Sequence, residues 1–182
     1  APAGQILGVA ANFECVVLTT PTGFEAFSAR TGTWAPLASA SGLVVQTAGA
    51  LAAAVGASGV DAFDPILGKW THQAVGAMPS WSVWRQTGIA HDGAKAYGYS
   101  LFHQSWESID LPGGVVSFKA NDSIGCVETP THLHVFVGIG SLTNQSRFAE
   151  FSRFAVRGGE LMCLQAGPAG ALVVGLIGTR RT

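Results

Sequence analysis

Histidine and aspartate side chains that could bind a metal or transfer protons occur at two places in the sequence. His132 and His134 are two residues apart in an apolar run, and His91 directly precedes Asp92. Residues two apart on a strand share one face, so the two histidines could hold a metal together with His91 or Asp92. A histidine pair on a solvent-exposed or channel-lining face is the more ordinary interpretation. We therefore predict no metal site and no cofactor.

Two tryptophans that are three residues apart, Trp81 and Trp84, could also bind a ligand. An aromatic side chain that projects from a linker can stack on a sugar ring or anchor a protein partner. No nucleophile motif, phosphate-binding loop or paired-carboxylate motif accompanies them. The residue types alone therefore favour binding over catalysis, and we predict no catalytic residue.

The elements that position these residues follow from an internal repeat. Trp34, Trp70 and Trp106 are 36 residues apart. The aromatic residues that precede them by seven positions are Phe27, Phe63 and Tyr99. Self-similarity at this period indicates stacked or ring-forming repeats.

The middle copy of the repeat predicts a hairpin. Residues 60–63 and 69–73 are alternating runs, and residues 64–68 between them supply the turn residues Asp, Pro and Gly. Two more runs of strand length precede it, residues 43–47 and 51–55. Each repeat is therefore expected to form four short antiparallel strands. A small sheet with two apolar faces must pack against the next copy, as blades do in a β-propeller.

One stretch of this copy resembles a known family. An aromatic residue followed by Asp-Pro, a turn glycine and a tryptophan, as in Phe63, Asp64, Pro65, Gly68 and Trp70, resembles the third and fourth strands of a kelch repeat. The resemblance is best over residues 5–110. It implies a kelch-like β-propeller.

The repeats predict an all-β protein with about five short four-stranded blades in a single domain, residues 1–182. Copies one to three cover residues 5–37, 43–73 and 81–109. The fourth fits residues 115–151 with an insertion, and Phe148 replaces the tryptophan. The fifth, from residue 154, lacks one strand. Either the N-terminus completes the last blade, or that blade stays incomplete, or the chain belongs to a larger ring.

Composition excludes several classes of partner. The 182 residues are 48% hydrophobic and 12% charged, with a net charge of −1 and no basic stripe, so we predict no nucleic-acid binding. The apolar run 169–177 is shorter than the roughly 20 residues that span a bilayer, so we predict no membrane insertion. The chain starts at Ala1 without a methionine. The compartment stays open, with an extracellular or periplasmic location slightly favoured.

On a propeller, the loops between second and third strands and the linkers between blades lie on one face, where loops tolerate variation. We predict a non-catalytic module that binds a carbohydrate or a protein through this loop face. The candidate ligand-binding residues are Trp81, Trp84, His91, Asp92 and His132. In register with the repeat, Trp81 aligns with Val9 and Val45 on an inner strand, which favours a core position, whereas Trp84 stays open.

Two alternatives to the binding module remain. The first is a hydrolase or lyase that uses His91, Asp92 and His132 near the ring axis. The second is a structural or assembly protein, in which an unclosed last blade pairs with a neighbour to form an oligomer. Exposed aromatic residues on one face would indicate binding, titratable groups within hydrogen-bond reach in a pocket would indicate catalysis, and a native mass above one chain would indicate assembly.

Overall fold

A computed structural model shows an all-β chain built from consecutive antiparallel sheets. The structure describes residues 4–38, 44–57, 59–76, 79–121, 124–138, 148–151, 155–157, 160–167 and 170–177. Within these ranges there is no helix, and so none that could cross a membrane.

Nineteen strands within the described residues form five sheets, and each sheet is a simple up-and-down series. Sheet 1 contains β1 (Gly8–Ala11), β2 (Cys15–Thr20), β3 (Gly23–Ser28) and β4 (Trp34–Ala38). Sheet 2 contains β5 (Val44–Ala48), β6 (Leu51–Gly56), β7 (Gly59–Asp64) and β8 (Lys69–Ala74). Sheet 3 contains β9 (Ser80–Trp84), β10 (Thr87–His91), β11 (Lys95–Ser100) and β12 (Ser105–Asp110). Sheet 4 contains β13 (Ser117–Asn121), β14 (Ile124–Glu128), β15 (Leu133–Val137) and β16 (Phe148–Phe151), and sheet 5 contains β17 (Ala155–Arg157), β18 (Glu160–Gly167) and β19 (Gly170–Ile177).

The five sheets follow the five predicted repeats, and the predicted all-β blade architecture of a propeller is confirmed. Sheet 5 has three strands within the described residues, in agreement with the missing strand of the fifth repeat. The closure of the ring by this sheet stays a prediction.

Buried side chains join sheets 1 to 4 in three clusters, each shared by two successive sheets. Val17 and Ala26 of sheet 1 pack with Ala54 and Phe63 of sheet 2. Leu51 and Val60 of sheet 2 pack with Tyr97 and Tyr99 of sheet 3. Ile89 and Ala96 of sheet 3 pack with Val127 and Phe136 of sheet 4. The core therefore lies between blades, as the repeat requires, because one small sheet cannot bury both of its faces alone.

The repeated aromatic pair explains the 36-residue spacing. The two residues lie opposite each other on the third and fourth strands of a sheet, with ring centroids 5.2 Å apart for Phe63 and Trp70. The indole N–H of Trp70 then donates to the Ala35 carbonyl oxygen of the preceding sheet at 3.1 Å. Trp106 repeats this bond to the carbonyl oxygen of Thr71 at 3.1 Å.

Phe148 replaces the tryptophan of the fourth repeat, as predicted. Its ring packs on Phe136 with centroids 5.1 Å apart, the same arrangement as the tryptophan pairs. Phenylalanine has no ring N–H, so this blade keeps the aromatic pair without the indole donor.

A second repeated feature, a buried polar residue, ends the third strand of sheets 1, 2 and 3. Ser28, Asp64 and Ser100 are 36 residues apart and all are buried. The Ser28 hydroxyl donates to the Pro65 carbonyl oxygen of the next sheet. Asp64 bonds to the next sheet in the opposite direction, because its Oδ2 accepts from the Tyr99 hydroxyl at 3.1 Å. These hydrogen bonds fix the position of one sheet relative to the next along the strand direction.

Sheets 1 to 4 share one orientation, because their first strands lie beside one another, so this part of the molecule has two distinct ends. The turn end carries the turns between first and second strands and between third and fourth strands; the linker end carries the linkers and the loops between second and third strands. At the turn end the Ala50 N–H donates to the Arg85 carbonyl oxygen at 2.9 Å. At the linker end the Gly76 N–H donates to Asp92 Oδ2 at 3.2 Å.

Candidate functional site

Four of the five predicted binding residues lie at the linker end. Trp81 is the second residue of β9, His91 ends β10, and Asp92 follows in the β10–β11 loop. His132 lies in the loop between β14 and β15. Trp84 ends β9 at the turn end, so the expectation that the candidates share the loop face is wrong for Trp84.

Asp92 is held by a complete set of hydrogen bonds. Its Oδ1 accepts the backbone N–H groups of Ala94 at 2.9 Å and Lys95 at 2.8 Å. Its Oδ2 accepts from the Gly76 N–H at 3.2 Å and from the Tyr97 hydroxyl at 2.8 Å. Burial would raise the Asp92 pKa, but these hydrogen bonds outweigh it and lower the pKa to about 2. The carboxylate therefore ties a loop to a linker and is poorly suited to act as a general base near neutral pH.

His91 packs against an aromatic ring of the next sheet. The rings of His91 and Phe118 meet edge to face, with centroids 4.4 Å apart. Burial lowers the pKa of His91, and the charge of Asp92 offsets part of that shift. Its Nδ1 is buried and has no hydrogen-bond partner within the described residues. A neutral imidazole in this position packs against the Phe118 ring.

His132 and His134 face one carboxylate, Glu150. His132 Nε2 lies 3.3 Å from Glu150 Oε1, and its Nδ1 is 2.8 Å from the Thr131 hydroxyl. His134 is fully buried on β15, with Nδ1 3.8 Å from Glu150 Oε2. Burial lowers the pKa of His134, with an opposing contribution from Glu150. Among the described residues no group of three or more His, Cys, Asp or Glu is placed to hold a metal ion.

Trp81 is buried, as its register in the repeat predicted. It is 8% exposed, and its ring lies 5.7 Å from that of Trp106. The ring crosses β10 at Gly88, where a Cβ atom would overlap it. Its indole N–H has no acceptor within the described residues, in contrast to Trp70 and Trp106.

A cavity of about 490 Å³ opens beside Trp81 at the linker end. The first strands of sheets 2, 3 and 4 lie side by side there and supply most of its wall. The lining residues are Val44, Gln46, Val55, Gly56, Pro79, Ser80, Trp81 and Phe118. Of the predicted candidates, Trp81 therefore lines the cavity, and His91 reaches it through Phe118.

The turn end carries a different surface. The aromatic side chains that are exposed among the described residues are Phe13 (94%), Trp84 (50%) and Phe102 (56%), and all three lie at this end. Ile66 and Leu67 are exposed on the neighbouring β7–β8 turn. We call these five residues the turn-end apolar surface.

Hydrogen bonds fix the turns that carry this surface. The Asp64 carboxylate accepts the N–H groups of Ile66 at 2.7 Å and Leu67 at 3.1 Å. The Ser100 hydroxyl accepts the Phe102 N–H at 3.1 Å. The apolar side chains therefore project from ordered backbone, which reduces the conformational entropy lost on binding.

Phe13 and Phe102 are not among the binding residues that the sequence predicts. A signal for Phe102 was present, because Arg30, Ile66 and Phe102 are 36 residues apart at the tip of the same turn in three repeats. Two of these three copies carry a large apolar residue where a turn is normally polar. Phe13 follows Asn12 in the β1–β2 turn, and no repeated feature marks it.

Comparison with known proteins finds only distant structural similarity. No known protein-family model matches the sequence, and no curated protein sequence matches it. Human WBSCR16 is similar at 10% identity and a TM-score of 0.47 over 73% of this chain, which spans 47% of that protein. Kluyveromyces lactis Hsv2 is similar at 10% identity and a TM-score of 0.43, over 97% of this chain and 73% of that one. The Neurospora crassa Pan2 WD40 domain has 10% identity and a TM-score of 0.36, over 94% of this chain and 60% of that one.

Proposed function

We propose that this chain is a non-catalytic recognition module that binds a protein partner through its turn-end apolar surface. The observation that carries the proposal is the position of Phe13, Trp84 and Phe102, the aromatic residues exposed within the described part of the chain, at one end. Exposed aromatic residues on one face are what a binding role requires. We also propose that the propeller is of the kelch-like type, on the basis of the residues from Phe63 to Trp70.

Apolar side chains at this end favour a protein over a sugar. Ile66 and Leu67 add exposed aliphatic area at the same end, which a protein interface can bury, whereas a sugar would stack on the aromatic faces alone. Protein interfaces are commonly anchored by tryptophan in a patch that excludes water. Trp84 is therefore the expected anchor, with Phe13 and Phe102 around it.

The hydrolase or lyase alternative receives no support from its three candidate residues. The oxygens of Asp92 accept four hydrogen bonds from the protein itself. His132 faces Glu150 and Thr131. A catalytic acid or base needs a free position toward a substrate. These contacts occupy the Asp92 and His132 groups, and the His91 ring packs against Phe118 with its Nδ1 buried.

A comparison of two double variants tests the proposal. Phe13→Ser with Phe102→Ser removes aromatic area at the turn end. Leu7→Ser with Val116→Ser removes exposed apolar area at the linker end and is the matched control. A partner is first identified by its retention from an extract on the immobilised wild-type chain. Its affinity for each purified variant is then measured by calorimetry.

We expect the turn-end variant to weaken binding at least tenfold, about 1.4 kcal/mol, and the linker-end variant to leave it unchanged. Trp84→Ala alone should reproduce most of that loss. Equal affinities for all variants would contradict the proposal. If the chain instead binds saturably to a glycan array and Trp84→Ala abolishes that binding, the same surface recognises a carbohydrate. If the native mass exceeds that of one chain and falls in the turn-end variant, the surface serves assembly.

A further inference from the structure

The linker-end cavity lies at the opposite end from the turn-end apolar surface and has the features of a separate site. Its volume of about 490 Å³ falls within the roughly 300–1,000 Å³ that is usual for small-molecule sites. Most of its lining side chains are apolar, with Gln46 and Ser80 as the polar ones. A mainly apolar wall with a few polar groups is the usual composition of such sites.

At the second residue of the first strand, sheets 3 and 4 have aromatic residues that line the cavity, whereas sheets 1 and 2 have valines that do not. Trp81 is the second residue of β9, and Phe118 is the second residue of β13. The corresponding residues of β1 and β5 are Val9 and Val45. A blade can therefore form with valine at this position. The large aromatic rings of Trp81 and Phe118 are not needed to build sheets 3 and 4.

The Trp81 ring also carries an energetic cost. Its indole N–H is buried without an acceptor among the described residues, and a buried unpaired donor costs about 1–3 kcal/mol. The β10 strand must also keep Gly88 so that the ring can cross it. A valine or phenylalanine would avoid the unpaired donor, so packing alone does not account for this tryptophan.

The charge of the wall defines the class of ligand. Among the lining residues that the structure describes, none is Asp, Glu, Lys or Arg. His91 is a titratable residue in contact with the wall, through the Phe118 ring and by strand pairing with Ser80, and its burial favours the neutral form. A charged ligand would lose hydration without gaining an ion pair.

We propose that this cavity binds an uncharged, largely apolar small molecule that carries a hydrogen-bond acceptor. Trp81 and Phe118 would contact its ring or chain. Ser80 and Gln46 would bond its polar group at the rim, and a small shift of the Trp81 ring would let its indole N–H join them. This site is independent of the proposed protein partner.

The neutral dye 6-propionyl-2-(dimethylamino)naphthalene, whose ketone is an acceptor, is the probe that tests the site. We expect saturable binding of the dye, with its emission shifted to shorter wavelength. In ¹H–¹⁵N spectra the indole signal of Trp81 should move on titration and that of Trp84 should not. The anionic dye 1-anilinonaphthalene-8-sulfonate should bind at least tenfold more weakly.

Two serine variants locate the bound dye. Ser80→Phe places a ring at the cavity rim and should weaken binding of the neutral dye at least tenfold. Ser108→Phe makes the same change at an exposed site on β12 and should leave the affinity unchanged. If Ser80→Phe lowers the melting temperature strongly, Gln46→Phe fills the cavity from its exposed side and replaces it.

Three results would overturn the proposal. The first is the absence of saturable binding to the folded wild-type chain. The second is equal affinity of Ser80→Phe, or of Gln46→Phe in its place, and wild type. The third is a moving Trp84 signal with a fixed Trp81 signal, because the dye would then lie on the turn-end apolar surface.

Discussion

At the scale of single residues, Asp92 shows how a polar group that resembles a catalytic one can be structural. A carboxylate next to His91 has the residue types of an acid–base pair. Its oxygens instead accept N–H groups from the linker and the loop and a hydroxyl from Tyr97. Charge-assisted bonds of this kind are stronger than neutral ones, and they order the β10–β11 loop at the linker end.

Asp92 should make the stability of the chain depend on acidity below pH 4. Its pKa falls from 3.8 to about 2 on folding, so its stabilising contribution is complete above pH 4 and is lost as the pH falls toward 2. Asp92→Asn should lower the free energy of unfolding at pH 7 by about 1–2 kcal/mol, since hydrogen bonds to the charge are lost near a partly exposed site.

Urea denaturation at pH 7, 4 and 2.5 measures this effect. The difference between wild type and Asp92→Asn should be constant from pH 7 to 4 and shrink at pH 2.5. Asp110→Asn is the control, because the Asp110 carboxylate is exposed and lies 3.3 Å from Lys95 Nζ in a surface pair. A difference that stays constant down to pH 2.5 would mean that the Asp92 carboxylate is not stabilised by these contacts.

The position of Trp81 could be predicted because it depended on register alone. The roles of Asp92 and His132 could not, because their partners come from segments that are far away in the sequence. Gly76 precedes Asp92 by 16 residues, and Glu150 follows His132 by 18. Spacing predicts which residues share a strand face. The hydrogen-bond and ion-pair partners of loop residues depend on how neighbouring segments pack in three dimensions.

At the scale of elements, the strands were predictable because each blade repeats the same sequence of alternating runs and turn residues. The fourth blade shows how far this extends: Phe148 was recognised as the substitute for the tryptophan, and it pairs with Phe136 as the tryptophans pair with their partners. The exposure of Phe13 and Phe102 could not be predicted in the same way. It depends on the direction in which a turn projects, and no periodicity encodes that direction.

The repeated tryptophan should contribute more to stability where it has an acceptor in the preceding sheet. Trp70→Phe removes the bond to the Ala35 carbonyl oxygen and should cost about 1–3 kcal/mol, the sum of a lost hydrogen bond and reduced packing. Trp34→Phe makes the same change in sheet 1, where no such bond occurs within the described residues, and should cost less than half as much.

Guanidinium denaturation of wild type and the two variants gives the two differences in unfolding free energy, when all three curves are fitted with one m-value. The aromatic pair of each tryptophan has the same ring spacing of 5.2 Å, so the difference between the two losses reports the contacts of Trp70 with the preceding sheet, its hydrogen bond included. Equal losses for Trp34→Phe and Trp70→Phe would show that packing, not the indole N–H, explains the repeat of tryptophan.

At the scale of the whole molecule, sheets 1 to 4 form a chain of neighbours. Each buried cluster belongs to two successive sheets, so through the side chains that the structure describes a change between sheets 3 and 4 reaches sheet 1 by way of sheet 2. Repeat proteins of this kind are stabilised by nearest-neighbour interfaces and can lose structure locally. The proposed protein partner and the proposed small molecule would therefore bind at opposite ends of this scaffold.

Gly98→Ala should show that a local change destabilises mainly the two neighbouring sheets. Gly98 lies on β11 against the next sheet, and a Cβ there would overlap the Phe136 ring, an overpacking that typically costs about 1–3 kcal/mol. In hydrogen exchange the amides of β11 and β15 should lose protection most, while those of β2 stay within about twofold of wild type. Gly76→Ala is the control, since a Cβ there would meet only an ordinary contact 3.5 Å away, with Asp92. Equal loss of protection in all sheets would show that the blades unfold as one unit.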